Sequence, residues 1–138
     1  MRNIPNKYTT RLLRAEIDKA GFAGDYDFFY LPMDFENRAN VGYGFLNFRS
    51  PEGAFRFAKC FDGRKLERFV NSLKIIRVTP ARMQGYQQNC EHFAQWKHPN
   101  KGAWGPIFLS EPFGPRAATA GGVGTGRGRA SDPPPRDD

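Results

Sequence analysis

Hydrophobic and polar positions change their period several times along the first 113 residues, and each change marks an element. "MRNIP" reads as a short strand ended by Pro5. Thr9 or Thr10 can N-cap a helix through "RLLRAEIDKA", in which Leu12, Leu13, Ile17 and Ala20 recur at helical spacing and Gly21 is placed to stop it. "YDFFYLPM" reads as a strand, "DFENRAN" as a polar connection, and "GYGFLNF" as a strand pairing back on the first. Ser50 and Pro51 open a second helix, with Glu52 at the positive end of its dipole, a buried stripe of Ala54, Phe55, Ala58 and Phe61, and Gly63 as its stop. The basic connection "RKLERFVNS" leads to a last strand, "LKIIRV". The order β-α-β-β-α-β predicts an α+β, ferredoxin-like split βαβ sandwich, one antiparallel sheet with both helices on one face. Residues 86–97 read as an additional C-terminal helix with Tyr86, Cys90, Phe93 and Trp96 on one side. "GPIFLSEPF" reads as an extended segment laid against the domain, at a place the pattern does not fix.

A sheet covered on one face should alternate apolar and polar residues, and these strands do not. Leu46 and Phe48 share one side and suit the core, which sends Tyr43, Phe45 and Asn47 to the uncovered face. Phe29 and Leu31 form the matching core pair in "YDFFYLPM", so Phe28 and Tyr30 join the exposed set. Four aromatic rings then stand on a surface meant for water, unless the C-terminal helix folds across that sheet and makes them core. Such patches mark binding surfaces, and because every base has a π-face, a flat aromatic sheet in basic surroundings suits single-stranded nucleic acid.

Charge agrees with that reading. Lysine and arginine outnumber aspartate and glutamate 21 to 14, and the sequence pI of about 9.7 favours polyanionic partners. No apolar run reaches the ~20 residues that a bilayer requires, and the first residues carry no apolar signal core, so no membrane is expected and an intracellular location, nucleus or cytoplasm, is the default. Cys60 and Cys90, with His92 and His98, have neither disulfide-framework nor zinc-site spacing, so no metal is expected. After Gly114 the only large apolar residue is Val123, and residues 114–138 should be a disordered Gly/Arg/Pro-rich tail.

"VGYGFLNF", residues 41–48, resembles the octamer of the RNA recognition motif, with Val41 in place of the usual cation and Leu46 in place of valine. It falls on the third strand of the β-α-β-β-α-β order, as in that family. "MRNI" matches the last four positions of the family's first-strand hexamer. More narrowly, "RNIPNKYT", "YDFFYLPMDFENRANVGYGF" and "ARMQG" resemble the C-terminal recognition motif of the Mei-two-like RNA-binding proteins, regulators of meiosis and development in fungi, plants and protists. The resemblance covers roughly residues 1–110. It implies a recognition motif over residues 1–85, with a helix and extended segment docked on it over 86–113. The implied ligand is single-stranded RNA, with no cofactor and no catalysis. Tyr43 and Phe45 become the stacking rings, extended by Phe28 and Tyr30 and flanked by Asn47. The first two hexamer positions are missing, so the first strand reads as clipped. Pro80 departs from the family pattern at a strand expected to lie at the sheet edge, where proline is tolerable.

Two arginines complete the expected site. Arg2, at the end of the first strand with its side chain toward the open face, and Arg82, just past the last strand, are placed to meet phosphates or base edges. One alternative is a protein-interaction module in which the aromatic face or the C-terminal helix grips a polypeptide. Another is an acylphosphatase-like enzyme, which shares the element order but needs a glycine-rich phosphate cradle that "NIPNKYTT" lacks.

Overall fold

The computed structural model describes residues 1–95 and 105–109. Two capped helices shape one side of the molecule. Helix α1 (Thr10–Ile17) begins where the Thr9 hydroxyl accepts a hydrogen bond from the Leu12 amide at 3.1 Å, and it buries Leu13 and Ile17. A π-helical turn, Asp18–Phe22, follows and bends at Gly21, whose φ of 110° suits glycine. The bend leaves Ala20 exposed and drives Phe22 into the core. Helix α2 (Pro51–Phe61) begins with the Ser50 hydroxyl accepting from the Gly53 amide at 3.1 Å. Its buried residues are Gly53, Phe57 and Phe61, which corrects the expected stripe: Ala54 is exposed and Phe55 is 64% exposed. Both stripes have helical spacing. Phe57 wins because its ring meets Phe48, Phe22 and Phe61 at centroid distances of 4.9, 5.5 and 4.8 Å, burying more apolar area than two alanines could.

Strand β1 (Tyr26–Tyr30) pairs antiparallel with β4 (Phe45–Phe48) on one side and with β5 (Ile107–Phe108) on the other. Between them in sequence, β2 (Met33–Asp34) and β3 (Ala39–Asn40) form a small hairpin. There the Asp34 carboxylate accepts from the amides of Glu36 and Asn37, so the segment read as a polar connection is a folded turn. The strands expected at residues 1–5 and 73–78 are reduced to bridges: Arg2 faces Tyr43 on one side and Arg77 on the other. Asn3, at φ 63°, breaks the extended run after Arg2. The architecture is nevertheless the expected α+β sandwich, and β5 extends it beyond β1.

The principal core gathers Ile4, Tyr8, Leu13, Ile17, Phe22 and Tyr26 with Phe29, Leu31, Phe57, Phe61, Leu66 and Ile76. A second cluster of Phe28, Tyr30 and Phe93 lies apart from it, with Phe45 and Phe108 packed alongside. Tyr8 also fixes the long connection after α2. Its hydroxyl donates to Glu16 and accepts from the Arg68 amide at 3.0 Å, while the Glu67 amide donates to the other Glu16 oxygen at 2.7 Å. Phe69 stands edge-on to the Tyr8 ring at 4.9 Å.

Three buried phenols give the fold an alkaline limit. Desolvation, reinforced by Glu16, raises the Tyr8 hydroxyl well above its ordinary range. Desolvation pushes Tyr26 up to about 12, with Arg14 and Asp18 acting in opposite directions, and it raises Tyr30 further, with Tyr43 adding to the effect. The unfolded chain loses these protons near pH 10 while the folded chain keeps them. Stability should therefore hold from pH 8 to about 9.5 and fall progressively above about 10. Melting temperatures measured from pH 8 to 11.5 check this, and a flat profile through pH 11 would contradict the placement of the phenols.

Candidate nucleic-acid interface

The antiparallel register places side chains in rows on the face opposite α1 and α2, because directly paired residues point the same way. One row runs Arg77, Arg2, Tyr43, and the next joins Phe45 to Tyr30. The third runs Asn47, Phe28, Phe108. The expected parity therefore holds: Tyr43, Phe45, Asn47, Phe28 and Tyr30 share a face. On the core side of the sheet Gly44 lets the strands close tightly, since a Cβ there would lie 3.1 Å from the Tyr30 carbonyl oxygen and 3.4 Å from the Leu31 side chain.

The face is open only in part. Helix α3 (Tyr86–Ala94) crosses it and buries Phe93 against Phe28 and Tyr30, at centroid distances of 5.5 and 5.4 Å. Phe108 lies 5.0 Å from Phe28 and closes the far side. Phe28 is 0% exposed, Tyr30 5% and Phe93 2%. The expectation that Phe28 and Tyr30 extend an open platform is thus corrected: they form the interior between sheet and helix. What remains accessible is Tyr43 and Phe45, both partly buried, with ring centroids 5.9 Å apart and planes at 75°. Phe45 is backed by Tyr30, nearly parallel to it at 6.5 Å.

Asn47 also departs from its expected role, because its amide holds α3 in place. Nδ2 donates to the Asp27 carboxylate at 2.9 Å and Oδ1 accepts from the Gly85 amide at 3.0 Å, at the residue that caps α3. The buried Asn89 donates to the Gly85 carbonyl at 2.7 Å. Asp27 reaches Asn47 because the β1–β4 register shifts between Tyr26 and Phe28. Burial beside this network pushes the Tyr86 hydroxyl up to about 12 and raises the Cys90 thiol. Trp96, expected on this helix, lies outside the described residues, as does the segment 114–138.

The basic side of the face is Arg2 and Arg77, both exposed and bridged through their backbones at 2.7 and 3.1 Å. Arg77 meets Asp62 at 3.7 Å across a solvent-exposed gap, an ion pair too weak and wet to withhold the guanidinium from an anion. The alternation of "LKIIRV" about the buried Ile76 could have identified Arg77 from sequence. Arg82 is exposed in the connection leading to α3, and none of the three rows includes it. Among the described residues no three His, Cys, Asp or Glu side chains converge to hold a metal ion, and no helix is long and apolar enough to cross a membrane.

An antiparallel sheet backed by two helices, with the octamer's two rings and a row of arginines on its other face, defines a sheet-based nucleic-acid-binding module. The chain belongs to the RNA recognition motif family: the profile of the family described as RNA recognition motif 2, the Mei2-type motif, matches residues 1–94. Among curated relatives, the rice (Oryza sativa subsp. japonica) protein MEI2-like 3 is 43% identical over 117 residues, 85% of this chain and 12% of its own length. Rice MEI2-like 5 is 50% identical over 93 residues, 67% of this chain and 11% of its own. Arabidopsis thaliana MEI2-like 1 is 48% identical over 93 residues, 67% of this chain and 10% of its own. The chain thus spans only about a tenth of the length of these relatives.

The Asn47 network makes a separate prediction. Replacing Asn47 with Ala removes the acceptor of the Gly85 amide and should cost about 1–2 kcal/mol, the scale for leaving such a group unsatisfied. Amide exchange across residues 85–93 should accelerate while that of α1 and α2 changes little. Exchange on α3 that matches the parent chain would mean that the rings alone hold the helix.

Proposed function

We propose that this domain binds single-stranded RNA, without catalysis, on the part of the sheet that α3 leaves open, and serves post-transcriptional regulation. Tyr43 and Phe45 stack bases, Arg2 and Arg77 meet phosphates or base edges, and Arg82 adds positive potential at the rim. Tyr30 supports Phe45 from the neighbouring strand, and Phe28 holds Phe93 in place beside it. Asn47 contributes by holding α3. The observation that carries this reading is that the two octamer rings beside the arginine row stay partly exposed, whereas Phe28 and Tyr30 on the same face have been buried by the protein itself. Against the protein-interaction alternative stands the burial of Phe93 on the chain's own sheet, which removes the C-terminal helix's most apolar side chain from any partner.

Tyr43→Ala and Phe45→Ala should each weaken binding of single-stranded RNA by ~1–3 kcal/mol, the stacking increment. Both variants should stay folded, with Phe45→Ala losing about 1 kcal/mol of stability through its Tyr30 contact. Phe48→Ala, whose ring packs on Phe22, Tyr26 and Phe57, should destabilise by ~3–5 kcal/mol as a core truncation. Binding should also weaken steeply with salt, because phosphate contacts release counterions. Titrations at two fixed salt concentrations, with melting curves on each variant, test the reading. RNA affinity indifferent to both ring substitutions would refute it.

A further inference from the structure

The open face continues past the arginine row. Residues 73–78 alternate in burial: Ile76 is fully buried and Val78 packs against the core, whereas Leu73 is 86% exposed, Ile75 40%, and Arg77 is exposed. Arg77 shares its side of the sheet with Arg2 and Tyr43 through the bridges, and Ile75, two residues before it, falls on that side too. This segment is held in place. Asn3 Nδ2 donates to the Ile75 carbonyl at 2.9 Å, the Ile76 amide donates to the Arg64 carbonyl at 2.8 Å, and Lys74 Nζ donates to Asn6 Oδ1 at 2.8 Å. An open sheet edge facing only water would carry polar residues at these positions, yet two large aliphatic side chains stand there.

We propose that the RNA strand runs from Tyr43 across Arg2 and Arg77 to an apolar rest on Ile75 and Leu73, and so leaves the sheet at the edge opposite α3. The inference rests on the RNA-binding reading and gives it a path. At the α3 end Phe93 fills the place where a further base would stack. At the other end the arginine row reaches Arg77 at two strand spacings, roughly 10 Å from Tyr43, and the aliphatic pair follows along the same segment, two and four residues before Arg77. Charge favours RNA as the occupant: residues 64–77 carry Arg64, Lys65, Arg68, Lys74 and Arg77 against the single acid Glu67. Ile75 and Leu73 would lie against the face of a base or its ribose, a contact that does not depend on sequence.

The test compares randomised single-stranded RNA pools of about four and about ten nucleotides on the full chain, the Leu73→Ser/Ile75→Ser double variant and Tyr43→Ala. The long pool should bind the parent chain more tightly than the short one. The double variant should lose about three- to tenfold of that length advantage, as partial burial of two aliphatic side chains implies, whereas Tyr43→Ala should weaken binding of both pools. Leu73→Ser alone, at a highly exposed residue, serves if the double variant melts early, and should lose part of the advantage. A full length advantage in the serine variants, with Tyr43→Ala still impaired, would overturn the path and leave the RNA-binding reading standing. The same result accompanied by a change in sedimentation of the serine variants would assign the aliphatic pair to protein contact and would equally overturn the path. If Tyr43→Ala binds both pools as the parent does, the RNA-binding reading itself fails and the path falls with it.

Discussion

The contact of Phe93 with Phe28 and Tyr30 decides what this sheet can do. Each aromatic pair contributes about 0.5–1.5 kcal/mol beyond its buried area, and Phe93, Phe28, Tyr30 and Phe108 form several such pairs within one cluster. Together they turn roughly half of an aromatic face into interior. The remainder, Tyr43 and Phe45 beside Arg2 and Arg77, is a compact surface with one closed end and one open end.

The closed end is built as carefully as a core. A buried polar side chain is tolerable only if its hydrogen bonds are made, and the chain satisfies Asn89 and Asn47 through the same residue, Gly85, at the start of α3. The carboxylate of Asp27, brought onto this face by the register shift in β1, completes the set. β5 then takes up the free edge of β1, with the Leu109 amide donating to the Asp27 carbonyl at 3.0 Å. Apolar and polar contacts therefore cooperate: the rings give α3 its affinity for the sheet, and the asparagines give it one register.

Much of this was legible in the sequence for physical reasons. Thr9 and Ser50 mark helix starts because few other residues satisfy the first free amides, and strand alternation assigned Leu46 and Phe48 to one side and Tyr43 and Phe45 to the other. The pattern allowed the C-terminal helix to cross the aromatic face and could not decide whether it does. Exposed by parity and exposed in fact are different conditions, and Phe28 and Tyr30 meet only the first, because Phe93 lies more than sixty residues further along the chain. The α2 stripe was misplaced because Ala54 and Ala58 fit the helical period as well as Gly53 and Phe57 do, and only the neighbouring rings of Phe22 and Phe48 decide between them. The turn at Asp34 leaves no mark on the pattern because its strands are two residues each, too short to show a period.

On the proposed reading, RNA uses the open rings and leaves the closed ones in place. Aromatic side-chain NMR during titration with single-stranded RNA reads this directly. The Tyr43 and Phe45 ring resonances should shift with RNA concentration while Phe28 and Tyr30 stay put and keep their proximity signals to Phe93. If all four rings shift together and the signals from Phe93 to Phe28 and Tyr30 vanish, α3 leaves the sheet on binding, and the division of the face into open and closed halves is wrong.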